Sequence, residues 1–242
     1  MKIILVVSAR PNFMKVAPIL ALMKAREDVF SPVLVHTGQH YDADLSDVFF
    51  EDLDLPEAAH YLAVGSGSHA EMTAKTMMAF EPVLLEEKPD AVLVVGDVTG
   101  TLACALDAAK LHIAVAHVEA GLRSRDRKMP EEVNRVLTDA ISDFLLTPSR
   151  DADENLLSEG IPSERIHFVG NVMVDSLRRA EGALGRSTVL ADNGVSAGAF
   201  AYATMHRDFN VDVAESLARG LEVIERVQER LPVLFAVHPR TK

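Results

Sequence analysis

Two acidic residues stand where an open parallel sheet would deliver its chemistry. Asp97 follows the apolar run Ala91 to Val95 in Gly96-Asp97, and Glu119 leaves the run Ile113 to Val118 in His117-Val118-Glu119-Ala120-Gly121. If these runs are neighbouring strands, about 4.8 Å apart, their exits bring both carboxylates into one cleft. Two carboxylates held close raise the proton affinity of one of them, which suits general acid/base work near neutral pH. The structural alternative for Asp97 is a helix cap, its oxygen accepting from the first N–H groups of the helix that follows.

Other polar strand exits could serve the same cleft. Ser8-Ala9-Arg10-Pro11 follows the first apolar run, with Lys15 one turn into the next helix. Arg10 offers a planar fork and Lys15 a point charge, both suited to a diphosphate at a helix N-terminus, or both are ordinary surface cations. Glu131 in Pro130-Glu131-Glu132 could supply a third carboxylate. A proline at the helix start and a Glu131 to Arg135 pair would equally serve the helix itself. The loop with Arg123, Arg125, Arg127 and Lys128 reads as a solvated face before a phosphate lid. Later exits carry His206-Arg207 and His238-Pro239-Arg240, donors for an anionic ligand. Gly65-Ser66-Gly67-Ser68-His69-Ala70 fits a dinucleotide fingerprint in form but does not follow the first strand, so we read it as a turn capping a helix.

The elements that must position these residues alternate. Apolar runs at Ile3 to Val7, Val33 to Val35, Ala91 to Val95, Ile113 to Val118 and Phe144 to Leu146 are separated by segments of helical spacing. This predicts a doubly wound α/β layer with a parallel sheet buried on both faces. A further strand, Ile166 to Val169, and a helix from Met173 to Leu184 precede a linker-like stretch, Gly185 to Gly198. A second unit then reads as strand Phe200 to Met205, helix Val211 to Arg230 and strand Val233 to Val237. The expected division is a Rossmann-like domain over 1–171 and an incomplete second one over 172–242.

Composition bounds the function. The 242 residues are 48% hydrophobic and carry a net charge of −12, which argues against a general nucleic-acid or anionic-membrane surface. Cys104 is the only cysteine, so a disulfide within the chain and a cysteine-rich zinc site are excluded, and a reducing cytoplasm fits. No His or acidic pair shows metal-ligand spacing, and no apolar run approaches a membrane span.

In this order the motifs resemble the non-hydrolysing UDP-N-acetylglucosamine 2-epimerases. The resemblance rests on Ser8-Ala9-Arg10-Pro11 with Lys15, Thr37-Gly38-Gln39-His40, Gly96-Asp97, His117 through Arg123, Pro130-Glu131-Glu132 with Asn134-Arg135, Gly170-Asn171, His206-Arg207 and His238-Pro239. It implies a GT-B-like α/β fold of two Rossmann-like parallel-sheet domains, the second incomplete, and neither a redox cofactor nor a metal. It implies Asp97, Glu119, Glu131 and His206 as catalytic, Arg10, Lys15, Arg135 and Arg207 as substrate-binding, and Gln39, His40 and His238 as an effector site. The implied reaction eliminates UDP from a UDP-sugar to give a glycal and adds it back on the other face, in polysaccharide biosynthesis, by a cytoplasmic homodimer. A hydrolysing epimerase, a GT-B glycosyltransferase and a non-catalytic nucleotide-sugar-binding fragment are the alternatives. The chain departs from the family pattern in placing Asn12 where Glu is usual and Gly67-Ser68-His69 where effector-responsive members carry Arg-Gln. The family's uridine-gripping Ser-Gly and Glu-Glu segment has no equivalent here, so the chain is expected to stop within the second domain.

Overall fold

The computed structural model describes residues 1–38, 53, 55–238 and 241, the side chains of Arg10 and Asp208 excepted. The first compact unit, Met1–Arg179, is built on a seven-stranded sheet. Its strands are β1 (Lys2–Val7), β2 (Ser31–His36), β3 (His60–Tyr61), β4 (Ala91–Val95), β5 (Ala114–Val118), β6 (Phe144–Thr147) and β7 (Ile166–Phe168). They lie in the order β3-β2-β1-β4-β5-β6-β7 and every pairing is parallel. The helices of this unit are α1 (Arg10–Lys24), α2 (His69–Glu87), α3 (Thr99–Lys110), α4 (Pro130–Ile141), α5 (Arg150–Ser158) and α6 (Val172–Leu184), which runs past its boundary.

The continuous apolar runs are buried on both faces because alternate side chains enter different cores. Ile3, Leu5 and Val7 of β1 pack with Phe13, Val16 and Leu20 of α1. Ile4 and Val6 point the other way, toward Phe80 and Leu84 of α2 and Cys104 and Ala105 of α3. This period of two splits one six-residue strand between two helical layers. The strand order reverses between β1 and β4, which is where a doubly wound sheet opens a crevice for ligands.

The second unit, Ala180–Lys242, contains α7 (Val189–Asp192), β8 (Ala201–Met205), α8 (Asp208–Val211), α9 (Ala214–Gln228) and β9 (Val233–Val237). Strands β8 and β9 pair in parallel, so the expected strand-helix-strand unit is present. Its helix begins later than expected: Val211 ends a separate short turn, and α9 is N-capped by Val213. The stretch read as a linker contains α7, and the two-residue β3 escaped the sequence reading because it is too short to show periodicity. Among the described residues, no helix is long and apolar enough to cross a membrane.

Candidate active site

The exits of β4 and β5 are neighbours. Val95 pairs with Val118, and the Gly96 N–H donates to the Val118 carbonyl at 3.1 Å, which sets Gly96 beside Glu119 and Asp97 one residue beyond. Both turns are sharp: Gly96 has φ of +68° and Glu119 of +72°. A glutamate in the left-handed region carries backbone strain, which here directs its side chain out of the sheet.

Each carboxylate is held by its own cation. Lys15 donates to Glu119 Oε2, and Arg135 donates to Asp97 Oδ2. These side chains are 12% and 22% exposed for Lys15 and Glu119, and 16% and 29% for Arg135 and Asp97. They are sheltered and still reachable by a ligand. Asp97 does not cap α3, whose N-cap is Val98 with no side-chain bond. Its backbone carbonyl instead accepts from Asn134 Nδ2 at 2.8 Å, so α4 grips Asp97 twice.

The α4 carboxylates divide differently from their sequence reading. Glu131 is exposed in the first turn. Arg135 pairs with Glu132 at 2.8 Å in place of the i, i+4 partner Glu131. Glu132 is buried and also accepts the N–H groups of Ser124 and Arg125 at 2.9 and 2.8 Å, organising the basic loop. Burial pushes its carboxyl up, but these bonds and Arg135 more than offset that and hold it below the usual range.

Asn12 is a bridge. Its Oδ1 accepts from the N–H groups of Ser8 and Ala9, both at 3.0 Å, while its Nδ2 donates to the Val95 carbonyl at 3.2 Å. It therefore ties the β1 exit to the β4 exit, with a donor that a glutamate at this position would lack. Arg123, read as part of a solvated loop, is 3% exposed and bonds Asp139 and Glu159. Burial pushes the Asp139 carboxyl up, yet His117 and Arg123 hold it below its ordinary value. Asp139 went unnoticed in the sequence. Its signal is the polar stripe Glu132, Arg135 and Asp139 at helical spacing on one face of α4.

In the second unit, His206 and His238 leave β8 and β9 side by side, ring centroids 5.6 Å apart, with Arg207 next in the chain. Thus His206 and His238, assigned to different sites by resemblance, are neighbours. Arg10 begins α1, and Gln39 and His40 lie outside the described residues. The Gly-rich segment caps α2, where Ser68 accepts from Glu71 N at 3.2 Å and Glu71 returns the bond.

Comparison with known proteins identifies the class. The chain matches the family model described as UDP-N-acetylglucosamine 2-epimerase over residues 23–242. It is 45% identical to a UDP-N-acetylglucosamine 2-epimerase homolog of Methanococcus maripaludis, covering 100% of this chain and 67% of the relative. It is 42% identical to the UDP-2,3-diacetamido-2,3-dideoxy-D-glucuronate 2-epimerase of Pseudomonas aeruginosa, over 100% of this chain and 68% of that one. The solved Methanocaldococcus jannaschii UDP-GlcNAc 2-epimerase, in complex with UDP-GlcNAc and UDP, matches with a TM-score of 0.85 and 42% identity, over 100% of this chain and 67% of that chain. The fold is α/β and GT-B-like, and the chain belongs to the UDP-N-acetylglucosamine 2-epimerase family. It spans about two thirds of the length of these relatives.

Proposed function

We propose that this protein inverts C2 of UDP-N-acetylglucosamine, interconverting it with UDP-N-acetylmannosamine. The observation that carries the reading is the pair of strand-exit carboxylates, Asp97 and Glu119, each anchored by a separate cation beside the switch point of the sheet. One carboxylate takes the C2 proton as the C1–O bond breaks and UDP departs with the bonding electrons. A proton returned to the opposite face of C2, with UDP added back at C1, gives the epimer. Lys15 then has two anions to serve, Glu119 and the diphosphate, and Arg10 is proposed to share the second. Glu131, His206, Arg135 and Arg207 keep the roles that the resemblance assigns them, and Gln39, His40 and His238 the proposed effector role. A homodimer in the cytoplasm, serving polysaccharide biosynthesis, is the proposed setting, supported by the single, buried Cys104.

The experiment is turnover of UDP-GlcNAc by the full-length protein in deuterium oxide, followed by NMR. Deuterium at C2 of both epimers supports the reading; turnover without it, or release of free sugar, rejects it. The Pseudomonas aeruginosa relative supports a second substrate, UDP-2,3-diacetamido-2,3-dideoxy-D-glucuronate, at comparable identity. The ratio of kcat/KM for the two sugars decides between them.

A further inference from the structure

We infer that His117 is the positioning residue that sets the separation of Asp97 and Glu119, its ring donating from both nitrogens to tie the exit of β4 to α4. The inference deepens the epimerase reading and rests on it. His117 is wholly buried. Its Nε2 lies 2.8 Å from the Gly96 carbonyl oxygen, in the residue before Asp97. Its Nδ1 lies 2.7 Å from Asp139 Oδ1 on α4, the helix that holds Asp97 through Asn134 and Arg135. Asp139 Oδ2 accepts the Gly121 N–H at 3.1 Å, two residues after Glu119, and Arg123 Nη1 at 2.7 Å. One buried network thus fastens the backbone on both sides of the reacting pair.

A carbonyl oxygen can only accept, and Asp139 has its second oxygen filled by two donors. The arrangement is satisfied when His117 donates at both ends. The charges then balance as two cations, His117 and Arg123, against two anions, Asp139 and Glu159, which is the condition for keeping ions out of water. Removing the ring frees the Gly96 carbonyl and loosens the Asp97 turn, while Lys15 and Arg135 remain. The rate should fall without a matching loss of substrate affinity.

The test has two arms in the full-length protein. Nitrogen-15 NMR of labelled histidine, assigned with His117→Gln or, if that variant does not fold, by through-space contacts to β5, should show two protonated ring nitrogens. One unprotonated nitrogen would overturn the inference. In kinetics, His117→Gln should lower kcat by about tenfold or more with KM for UDP-GlcNAc within about twofold. The same substitution should cost little further in an Asp97→Asn background, as expected for residues acting as a unit. Equal proportional losses in both backgrounds would make His117 merely structural and sink the idea. Asp139→Asn carries the same cycle if His117→Gln does not fold. If the parent itself does not turn over UDP-GlcNAc, the epimerase reading fails, and the NMR arm still decides whether the tie exists.

Discussion

Lys15 on α1 reaches Glu119 at the exit of β5 by passing over Gly96, the last turn of the strand between them. A Cβ at Gly96 would stand 3.2 Å from Lys15 Nζ and 3.5 Å from Glu119 Oε2. The ion pair, 104 residues apart in the chain, exists because this position has no side chain.

Gly96→Ala should therefore do two things. Its φ of +68° strains any other residue, costing about 1 kcal/mol or more of stability, and the methyl group displaces the pair. We expect a modest shift in urea midpoint with a disproportionate loss of kcat, about tenfold or more. A variant that loses stability while keeping kcat would show that the pair adjusts around the methyl group.

Glu119→Gln keeps the shape of the side chain and removes its capacity to exchange a proton. The rate of C2 deuterium exchange should drop by about 10² or more, with UDP affinity by calorimetry nearly unchanged. A drop below tenfold would reduce Glu119 to a partner of Lys15.

Arg135 joins Asp97 to Glu132, so truncation leaves two carboxylates without their shared cation. Arg135→Ala should lower kcat strongly, and Arg135→Lys should recover only part of it, because an ammonium cannot reproduce the fork that contacts both acids. Full rescue by lysine would mean that charge alone suffices.

Asp107 provides a test of stability away from the proposed chemistry. It is 4% exposed on α3, and Oδ2 has no hydrogen-bond partner among the described residues. Burial, reinforced by the charge of Glu81, raises its carboxyl from 3.8 to about 6. The folded state therefore holds this proton more tightly than the unfolded chain does. Its penalty is absent below the unfolded value of 3.8, grows as pH rises toward about 6, and is complete above that. Asp107→Asn should raise unfolding free energy by about 1 to 3 kcal/mol at pH 7, with the gain fading as pH approaches 4. Paired urea titrations at the two pH values measure it, and a gain independent of pH would point to packing.

Most of the sheet could be read from the sequence because doubly buried strands leave continuous apolar runs. Ala91 to Val95 and Val233 to Val237 coincide with β4 and β9 end to end. The adjacency of Asp97 and Glu119 followed from strand exits, and β4 and β5 are indeed paired. What stayed hidden were partners fixed by tertiary distance. Lys15 could as well have faced solvent, Glu131 and Glu132 are adjacent letters of which only the second turns inward, and Asp139 looked like any polar helix residue. A residue's type states what it can donate or accept, while the neighbouring helix decides with whom.

Every contact named above for Asp97 and Glu119 is drawn from residues within Met1–Arg179: Lys15 from α1, and Asn134 and Arg135 from α4. The inheritance of the site is consequently modular. A recombinant gene that exchanged everything from residue 180 onward with that of a relative would carry these anchors intact. A lineage could thereby acquire a new preference for the distant parts of its substrate while the machinery at C2 descended unaltered, and chimeras of this kind would show which sequence tract evolution has used to tell one sugar from another.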